Sequence, residues 1–213
     1  ATVSTGETHG LLNYENVYMN VVSGLTTTVS VKYNDYNRRM VIDPKSFTAA
    51  GVNTTTNAFT ITDHGYTTGD KIIHTASTPA GGLSNNGIYY IVKIDSDKFK
   101  LSKTDYDSKE SKPDVIGITS TSTGTINPIN PPIKVYKNST VEFNLSDASL
   151  GYVAQSTSYP AFLLNFYSDK NLTKKWDTSP ESTSFNVIRN GTTGVTTDAK
   201  VSLVVREDIP EKL

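Results

Sequence analysis

Cysteine is absent from the 213 residues of the sequence, which also contain only three histidines and one tryptophan. The lack of cysteine excludes disulfide bonds, thiolate nucleophiles and every metal or iron–sulfur site built on cysteine. Charge is balanced, with 20 basic and 21 acidic side chains, so no positive excess favours nucleic acid or anionic lipid. No apolar run approaches the roughly 18 residues of a membrane-spanning helix. The sequence therefore predicts neither a nucleic-acid partner nor a membrane partner.

Residues that favour strands fill most apolar and near-apolar positions. Thr, Val, Ile and Tyr dominate, and no window repeats apolar residues at helical spacing for three turns. Such side chains pack well on a pleated sheet, whereas they crowd a helical turn. The composition predicts an all-β chain: a small antiparallel barrel or curled sheet followed by a β-sandwich, with a short N-terminal β segment.

Residues 1–40 form the first predicted unit, the N-terminal β segment. It contains alternating runs at residues 14–22 and 27–33, and a third strand begins at Met40. About forty residues bury too little surface to fold alone. We therefore expect this segment to dock on the next domain or on a partner chain, unless it is simply an N-terminal extension of that domain.

Residues 41–128 form the second predicted unit, a small barrel-like domain. Turn residues separate its short apolar runs, and Asn86-Gly87 in particular fits a mirror-image two-residue turn. A polar stretch at residues 106–114 predicts an exposed excursion, after which residues 115–118 return to strand. The other predicted strands are residues 58–62, 71–74, 88–94 and 99–101.

A stiff linker is predicted by the Ser/Thr/Gly-rich residues 119–125 and the proline-rich residues 127–132. Residues 129–213 form the third predicted unit, a cupredoxin-like or Ig-like β-sandwich. Its predicted strands are residues 133–136, 140–145, 161–167, 185–188 and 199–205. Because the chain starts at Ala1 and ends in IPEKL, we interpret it as a fragment of a longer protein.

Side chains able to support catalysis are few and scattered. His9 and His64 each precede glycine, which favours a role in turn geometry, and we expect His74 to face solvent or a neighbouring chain. Acidic pairs at residues 95–97 and 105–107 lack the glycine and glutamate of a calcium loop. A blue-copper centre is excluded because it needs cysteine. We therefore predict no catalytic residue, no metal site, no cofactor and no enzymatic activity.

Twelve tyrosines point instead to interaction. Tyrosine offers a large, rigid and amphipathic contact surface, and it is enriched at protein interfaces. In the predicted sandwich, Tyr152, Tyr159 and Trp176 are the candidates for contact with a ligand or partner. Packing in the core is the alternative explanation for most of the tyrosines.

Three runs occur in a fixed order: FTITDHGYTTGDK at residues 59–71, GLSNNGIYYI at residues 82–91 and DKFKL at residues 97–101. Together they resemble a module repeated in phage tail and baseplate proteins. Residues 131–135 and 141–150, with the terminal IPEKL, are similar to large structural proteins of contractile-tailed marine cyanobacterial phages. The resemblance implies a non-enzymatic virion protein of the tail or baseplate, assembled in the host cytoplasm. Its implied partners are other virion proteins or copies of itself.

Two further functions stay open. A carbohydrate- or receptor-binding module of a phage appendage would bind a surface glycan through aromatic platforms such as Tyr152, Tyr159 and Trp176. A β-sandwich enzyme such as a glycosidase would instead need two carboxylates about 5 to 10 Å apart in a groove.

Overall fold

The computed structural model describes residues 25–131, 133, 135–167, 171–173, 175 and 185–206. It consists almost entirely of strands, which confirms the all-β prediction. The described strands are β1 Thr26–Asn34, β2 Arg39–Ile42, β3 Lys45–Phe47, β4 Val52–Asn53, β5 Ala58–Thr60, β6 Lys71–Thr75, β7 Gly87–Lys93, β8 Lys98–Ser102, β9 Gly124–Pro128, β10 Thr140–Asn144, β11 Gly151–Ala154, β12 Thr157–Pro160, β13 Phe185–Asn190 and β14 Lys200–Val205. The described helical elements are α1 Asp105–Lys109 and the 3₁₀ turns Ala49–Gly51 and Ala148–Leu150.

A seven-stranded antiparallel sheet has the order β3-β9-β6-β7-β8-β5-β4. Its edge strands β3 and β4 are joined by residues 48–51 alone, so the sheet must curl until its two edges approach each other. Phe47, Phe59 and Phe99 fill the interior, with Phe59 stacked on Phe99 at 5.7 Å and Phe47 edge-on to Phe59 at 5.2 Å. The predicted barrel-like sheet is therefore present.

A five-stranded sheet has the order β13-β14-β10-β1-β2. Strand β1 runs parallel to β10, with Thr26 opposite Thr140, and the other neighbouring pairs are antiparallel. The apolar face of this sheet carries Val29, Val141, Phe143 and Leu203, and partly buried side chains from residues 161–167 pack against it. A strand from the first predicted unit thus shares a sheet with strands of the third, while the predicted boundaries near residues 40 and 128 stay predictions.

Part of the predicted linker is wrong, because residues 124–128 form strand β9. Residues 124–128 lie in the interior of the seven-stranded sheet, between β3 and β6, and Ile126 is fully buried. Polar side chains there satisfy one another: the Asn127 amide donates to the Ile73 carbonyl at 2.9 Å and to the Thr75 hydroxyl at 3.0 Å. These internal hydrogen bonds let a Thr/Asn/Pro-rich stretch occupy a sheet interior.

Three of the predicted strands are not strands in the described part of the chain. Residues 115–118 and 161–166 have no regular secondary structure, and neither do the described residues of the predicted strand at 133–136. Their apolar residues are nonetheless packed: Ile116 and Ile118 are buried, and their amides donate to the Leu101 carbonyl and the Asn57 side chain. The apolar alternation therefore reflects burial against a sheet rather than pairing within one. The predicted strand at residues 14–22 lies outside the described residues.

The predicted two-residue turn at Asn86-Gly87 is also wrong. Strands β6 and β7 are antiparallel neighbours, but residues 76–86 connect them. Asn86 does adopt a positive φ of 57°, and the Gly87 amide donates to the Ser84 carbonyl at 3.1 Å. The pair therefore ends a longer loop. The polar stretch at residues 106–114 begins within α1, whose first turn is capped by the Thr104 hydroxyl.

Candidate functional site

Strands β11 and β12 form a separate two-stranded hairpin, here called the tyrosine hairpin (residues 151–160). Tyr152 lies directly opposite Tyr159, and their rings stack with centroids 5.5 Å apart and an interplanar angle of 23°. The structure thus brings together two of the three residues that the sequence selects for contact. Trp176, the third, lies outside the described residues.

Every residue from 152 to 160 is exposed, and the exposed fraction reaches 54% at Tyr152, 71% at Val153 and 42% at Tyr159. Residues 151–160 contain no charged side chain. Among the described strands, β11 and β12 pair only with each other, so each presents one outer edge. Edge strands usually carry lysine or other charges that block pairing with another chain. An uncharged, two-sided ribbon of this kind is suited to docking.

The turn of the tyrosine hairpin uses an uncommon sequence. Gln155 and Ser156 both have positive φ, 49° and 63°, which is the two-residue turn whose twist matches that of the strands. Asn or Gly normally occupies such positions, because other residues lose roughly 1 kcal/mol or more there. Without that signal, sequence patterns did not predict the hairpin.

The base of the tyrosine hairpin is anchored to the five-stranded sheet. Leu150 is buried in the apolar core of the five-stranded sheet, and its carbonyl accepts from the Ala161 amide at 2.9 Å. A Cβ added at Gly151 would lie 2.6 Å from the Gly194 carbonyl oxygen, so only glycine fits this close approach. The ribbon therefore starts from a fixed point and projects from it.

Polar contacts of Asp147 and Ser149, just before the hairpin, also hold its base in place. The Ser149 hydroxyl accepts from the Tyr33 amide at 2.8 Å, and Lys32 forms an ion pair with Asp147 at 3.0 Å. Although burial opposes its charged form, hydrogen bonds from Ser149 and Lys32 lower the pKa of the Asp147 carboxyl. Both partners on β1 belong to the first predicted unit, so that unit helps to hold the hairpin.

His64, in the sequence run at residues 59–71, is buried, and its ring holds neighbouring backbone segments together through two hydrogen bonds. Its Nδ1 accepts from the Tyr66 amide at 2.9 Å, and its Nε2 donates to the Asp95 carbonyl at 3.1 Å. Burial lowers the pKa of the His64 imidazole, although hydrogen bonds to the backbone oppose this shift. The neutral ring fits both contacts, which agrees with the expected role in turn geometry.

The Gly69-Asp70 pair, in the same sequence run, fixes the loop at residues 67–70. Gly69 has a φ of 94°, and its amide donates to the Ile91 carbonyl at 2.8 Å. The Asp70 carboxylate accepts from the Thr67 amide at 2.8 Å and from the Thr67 hydroxyl at 2.9 Å. Backbone geometry therefore explains why glycine and aspartate occupy these two adjacent positions.

His74 does not face solvent, contrary to expectation. It is fully buried on β6, where Ile72 and Ile73 are also fully buried, so both faces of this central strand are covered. Its Nδ1 lies 3.2 Å from the Ser84 carbonyl, which it donates to, and its ring lies 5.5 Å from that of Phe47. Burial lowers the pKa of His74. Because the sheet curls, both faces of β6 are enclosed, whereas the sequence pattern does not show whether the His74 face is buried.

Among the described residues, no three His, Asp or Glu side chains lie close enough together to hold a metal ion. Within the same part of the chain, no helix has the length and apolar character needed to cross a membrane.

Comparisons of the chain with protein-family models, with curated proteins and with solved structures give no match. The tyrosine hairpin is therefore the candidate site that the sequence and the geometry select together.

Proposed function

We propose that the chain is a non-enzymatic structural module of a phage tail or baseplate, which joins neighbouring protein subunits through the tyrosine hairpin. The observation that carries the docking role is the exposed, uncharged ribbon with its stacked Tyr152 and Tyr159. The virion setting is supported by the resemblance of residues 59–71, 82–91 and 97–101 to the tail and baseplate module. In this setting the module is assembled in the host cytoplasm and becomes part of the virion.

Burial of the hairpin supplies the driving force for docking. Covering a large apolar side chain completely contributes about 1.5 to 3 kcal/mol, and aromatic pairs add to this through their ring contacts. Each free strand edge can also form main-chain hydrogen bonds with an added strand. Because the hairpin base is anchored, little ordering of the backbone has to accompany binding.

A second copy of the same chain is the partner that we propose for the hairpin. Two β12 strands related by a twofold axis run antiparallel and would join two hairpins into a four-stranded sheet. Residues 151–160 carry no charge, so two copies of the ribbon do not repel each other. The same residue pairs would then form on both sides of the axis, which makes the surface self-complementary.

Sedimentation velocity over a series of concentrations tests this docking role. Wild type is expected to self-associate, whereas the double variant Tyr152→Ala/Tyr159→Ala is expected to sediment as a monomer. The matched control is Tyr36→Ala/Tyr106→Ala, because these tyrosines are 78% and 74% exposed outside the hairpin. A monomeric wild type, or association that the hairpin variant leaves unchanged, would contradict the proposal.

The virion setting has its own test. Mass spectrometry of purified particles from a phage that encodes this sequence should detect its peptides at the level of a structural component. Peptides found only in the lysate, with none in the particles, would rule out a virion role while leaving the docking result to stand alone.

Carbohydrate or receptor binding is a second candidate, favoured by the stacked and exposed ring pair of Tyr152 and Tyr159. A glycan array probed with wild type and with Tyr152→Ala/Tyr159→Ala would detect it. Binding that disappears in the variant, together with a monomeric wild type, would favour this function over assembly.

A further inference from the structure

The sequence contains two Asn-Gly pairs, Asn86-Gly87 and Asn190-Gly191, and the structure places them in different surroundings. An asparagine followed by glycine can lose its side-chain amide without an enzyme, because glycine has no Cβ to keep its backbone nitrogen away from the asparagine Cγ. A hydrogen bond donated by that nitrogen, or burial away from water, slows the attack. The structure therefore indicates which of the two pairs reacts more readily.

The Asn190-Gly191 pair joins β13 to the loop at residues 191–199, and both of its residues are exposed. Strand pairing ends at Asn190, which lies opposite Lys200. Among the described residues, the Gly191 amide donates no hydrogen bond. Glycine is required at this position, because φ is 63° and an added Cβ would lie 2.8 Å from the Ala199 Cα. The reacting nitrogen is thus open to water.

The Asn86-Gly87 pair is held at both reacting groups. The Gly87 amide donates to the Ser84 carbonyl at 3.1 Å. The Asn86 side-chain oxygen accepts from the Asn34 amide group at 3.3 Å, and the Asn86 carbonyl accepts from the Asn37 amide group at 3.0 Å. Both residues of the pair are also partly buried. Attack at this pair therefore requires a hydrogen bond to break first.

We propose that Asn190 is a site of spontaneous deamidation in the folded chain, whereas Asn86 is protected. Hydroxide removes the proton of the Gly191 amide, and the nitrogen attacks the Asn190 Cγ, so that a new C–N bond closes a succinimide ring. The side-chain nitrogen leaves as ammonia after taking a proton from water, which restores the hydroxide. A second water then opens the ring at either carbonyl carbon and gives aspartate or isoaspartate.

Asp198 lies where the product would be felt. In the unmodified chain, the Asn190 side-chain nitrogen donates to the Asp198 carboxylate at 3.0 Å and to the Asp198 carbonyl at 3.3 Å. A hydrogen bond from the Thr196 side chain, with a weaker one from Asn190, lowers the pKa of Asp198, so this carboxyl is ionised at neutral pH. Deamidation replaces the donor with a second carboxylate, and repulsion takes the place of the hydrogen bond.

The loop at residues 191–199 also contacts the base of the tyrosine hairpin. An added Cβ at Gly194 would lie 2.7 Å from the Gly151 Cα, and the Gly194 amide donates to the Leu145 carbonyl at 2.8 Å. Deamidation is therefore expected to loosen the loop where it meets the hairpin. The reaction itself does not depend on the assembly role of the hairpin.

Peptide mapping by mass spectrometry, after incubation of the folded chain in mildly alkaline buffer, tests the proposal. Trypsin cuts after Arg189 and after Lys200, so Asn190 and Asn86 fall in separate peptides. Asn190 is expected to react about 2- to 10-fold faster than Asn86, the factor by which one hydrogen bond slows the attack. In denaturant the two rates should converge, because the hydrogen bonds are lost. Equal rates in the folded chain, or a ratio that denaturant leaves unchanged, would overturn the proposal.

Thermal unfolding of Asn190→Asp, which carries the product side chain, measures the effect on the loop. The variant is expected to lower the Tm by a few degrees. Adding Asp198→Asn should restore it, because an amide again donates to a carboxylate. The matched control Asn186→Asp adds the same charge at an exposed position of the same strand and should keep the Tm of wild type. An unchanged Tm for Asn190→Asp, or a loss that Asp198→Asn does not reverse, would contradict the expected loosening.

Discussion

The two large sheets use their residues in different ways. The seven-stranded sheet curls around three phenylalanines, and in its motif the buried His64 and the partly buried Asp70 fix loops through hydrogen bonds. The five-stranded sheet is covered on one face by residues 161–167 and carries the exposed tyrosine hairpin at its border. The contrast teaches that a sequence motif can mark the hydrogen-bonded loops of a module, while the proposed contact surface lies elsewhere.

Polar groups follow the same division. The seven-stranded sheet buries two neutral histidines, His64 and His74. The five-stranded sheet instead carries a partly exposed ion pair, between Lys200 and Glu142 at 2.7 Å. The two sheets should therefore respond differently to packing changes and to acid.

Phe99→Ala should have the largest effect on stability. Phe99 is fully buried between Phe59, His64 and Tyr66, and removing such a ring typically lowers the free energy of unfolding by about 3 to 5 kcal/mol. Urea denaturation followed by circular dichroism measures the change. Tyr106→Ala, at an exposed position, is the control and should stay within about 0.5 kcal/mol of wild type. A loss below about 1 kcal/mol for Phe99→Ala would mean that the interior of the seven-stranded sheet is not closely packed.

Acidification should weaken the seven-stranded sheet before the five-stranded one. Burial lowers the pKa of His64 and of His74 below the ordinary 6.5, so their contribution to stability is complete above pH 6.5. It is lost as the pH falls from 6.5 toward the lower pKa values of the folded state. In the five-stranded sheet, a hydrogen bond from Lys200 lowers the pKa of Glu142 below 4.5, so its contribution is lost only at lower pH.

Urea titrations followed by backbone amide NMR signals can separate the two sheets. Between pH 6.5 and pH 4.5, the midpoint for amides of the seven-stranded sheet should fall more than that for the five-stranded sheet. A variant His74→Gln should reduce this dependence. Equal shifts in both sheets would contradict the assignment of the effect to the buried histidines.

Tyr66→Phe should change stability in the opposite direction from Phe99→Ala. It keeps the ring that packs on His64 and Phe99 but removes a buried hydroxyl that has no partner among the described residues. We expect a gain of about 1 kcal/mol in the free energy of unfolding. Tyr89→Phe is the matched control, because its hydroxyl accepts from the Ser84 amide at 2.8 Å, and it should lose stability instead.

Tyr152→Ala/Tyr159→Ala should have the smallest effect on the folded chain. Both rings are largely exposed, so the free energy of unfolding should stay within about 0.5 kcal/mol of wild type. Chemical denaturation at a concentration below that of self-association measures this. A large loss would mean that the rings support the fold rather than a contact between subunits.

Sequence patterns predict the strands whose side chains alternate. Strands β7 and β8 match the runs at residues 88–94 and 99–101 closely, because tyrosine, isoleucine and phenylalanine there pack on a pleated surface. Strand β9 was missed because hydrogen bonds from Asn127 compensate for a composition typical of linkers. The parallel pairing of β1 with β10 joins residues 26 and 140 and leaves no local signal.

The candidate sites were predictable only in part. The sequence predicts Tyr152 and Tyr159 as contact residues, but their pairing depends on a turn at Gln155 and Ser156 that lacks the usual Asn or Gly. The surroundings of Tyr66 could not be predicted, because Asp43 and Tyr66 line one cleft only when both sheets are in place. Side-chain identity indicates what a residue can do, whereas tertiary topology decides which residues meet.

Directed disulfide formation tests the assembly proposal most directly, since the chain has no cysteine of its own. A twofold axis at Ser158, inside β12, would place this residue opposite its own copy, within the roughly 4.4 to 6.8 Å between Cα atoms that a disulfide needs. Ser158→Cys should therefore give a covalent dimer under mild oxidation on a non-reducing gel, faster than the exposed control Ser111→Cys. Equal and slow oxidation of both variants would contradict docking between copies through the tyrosine hairpin.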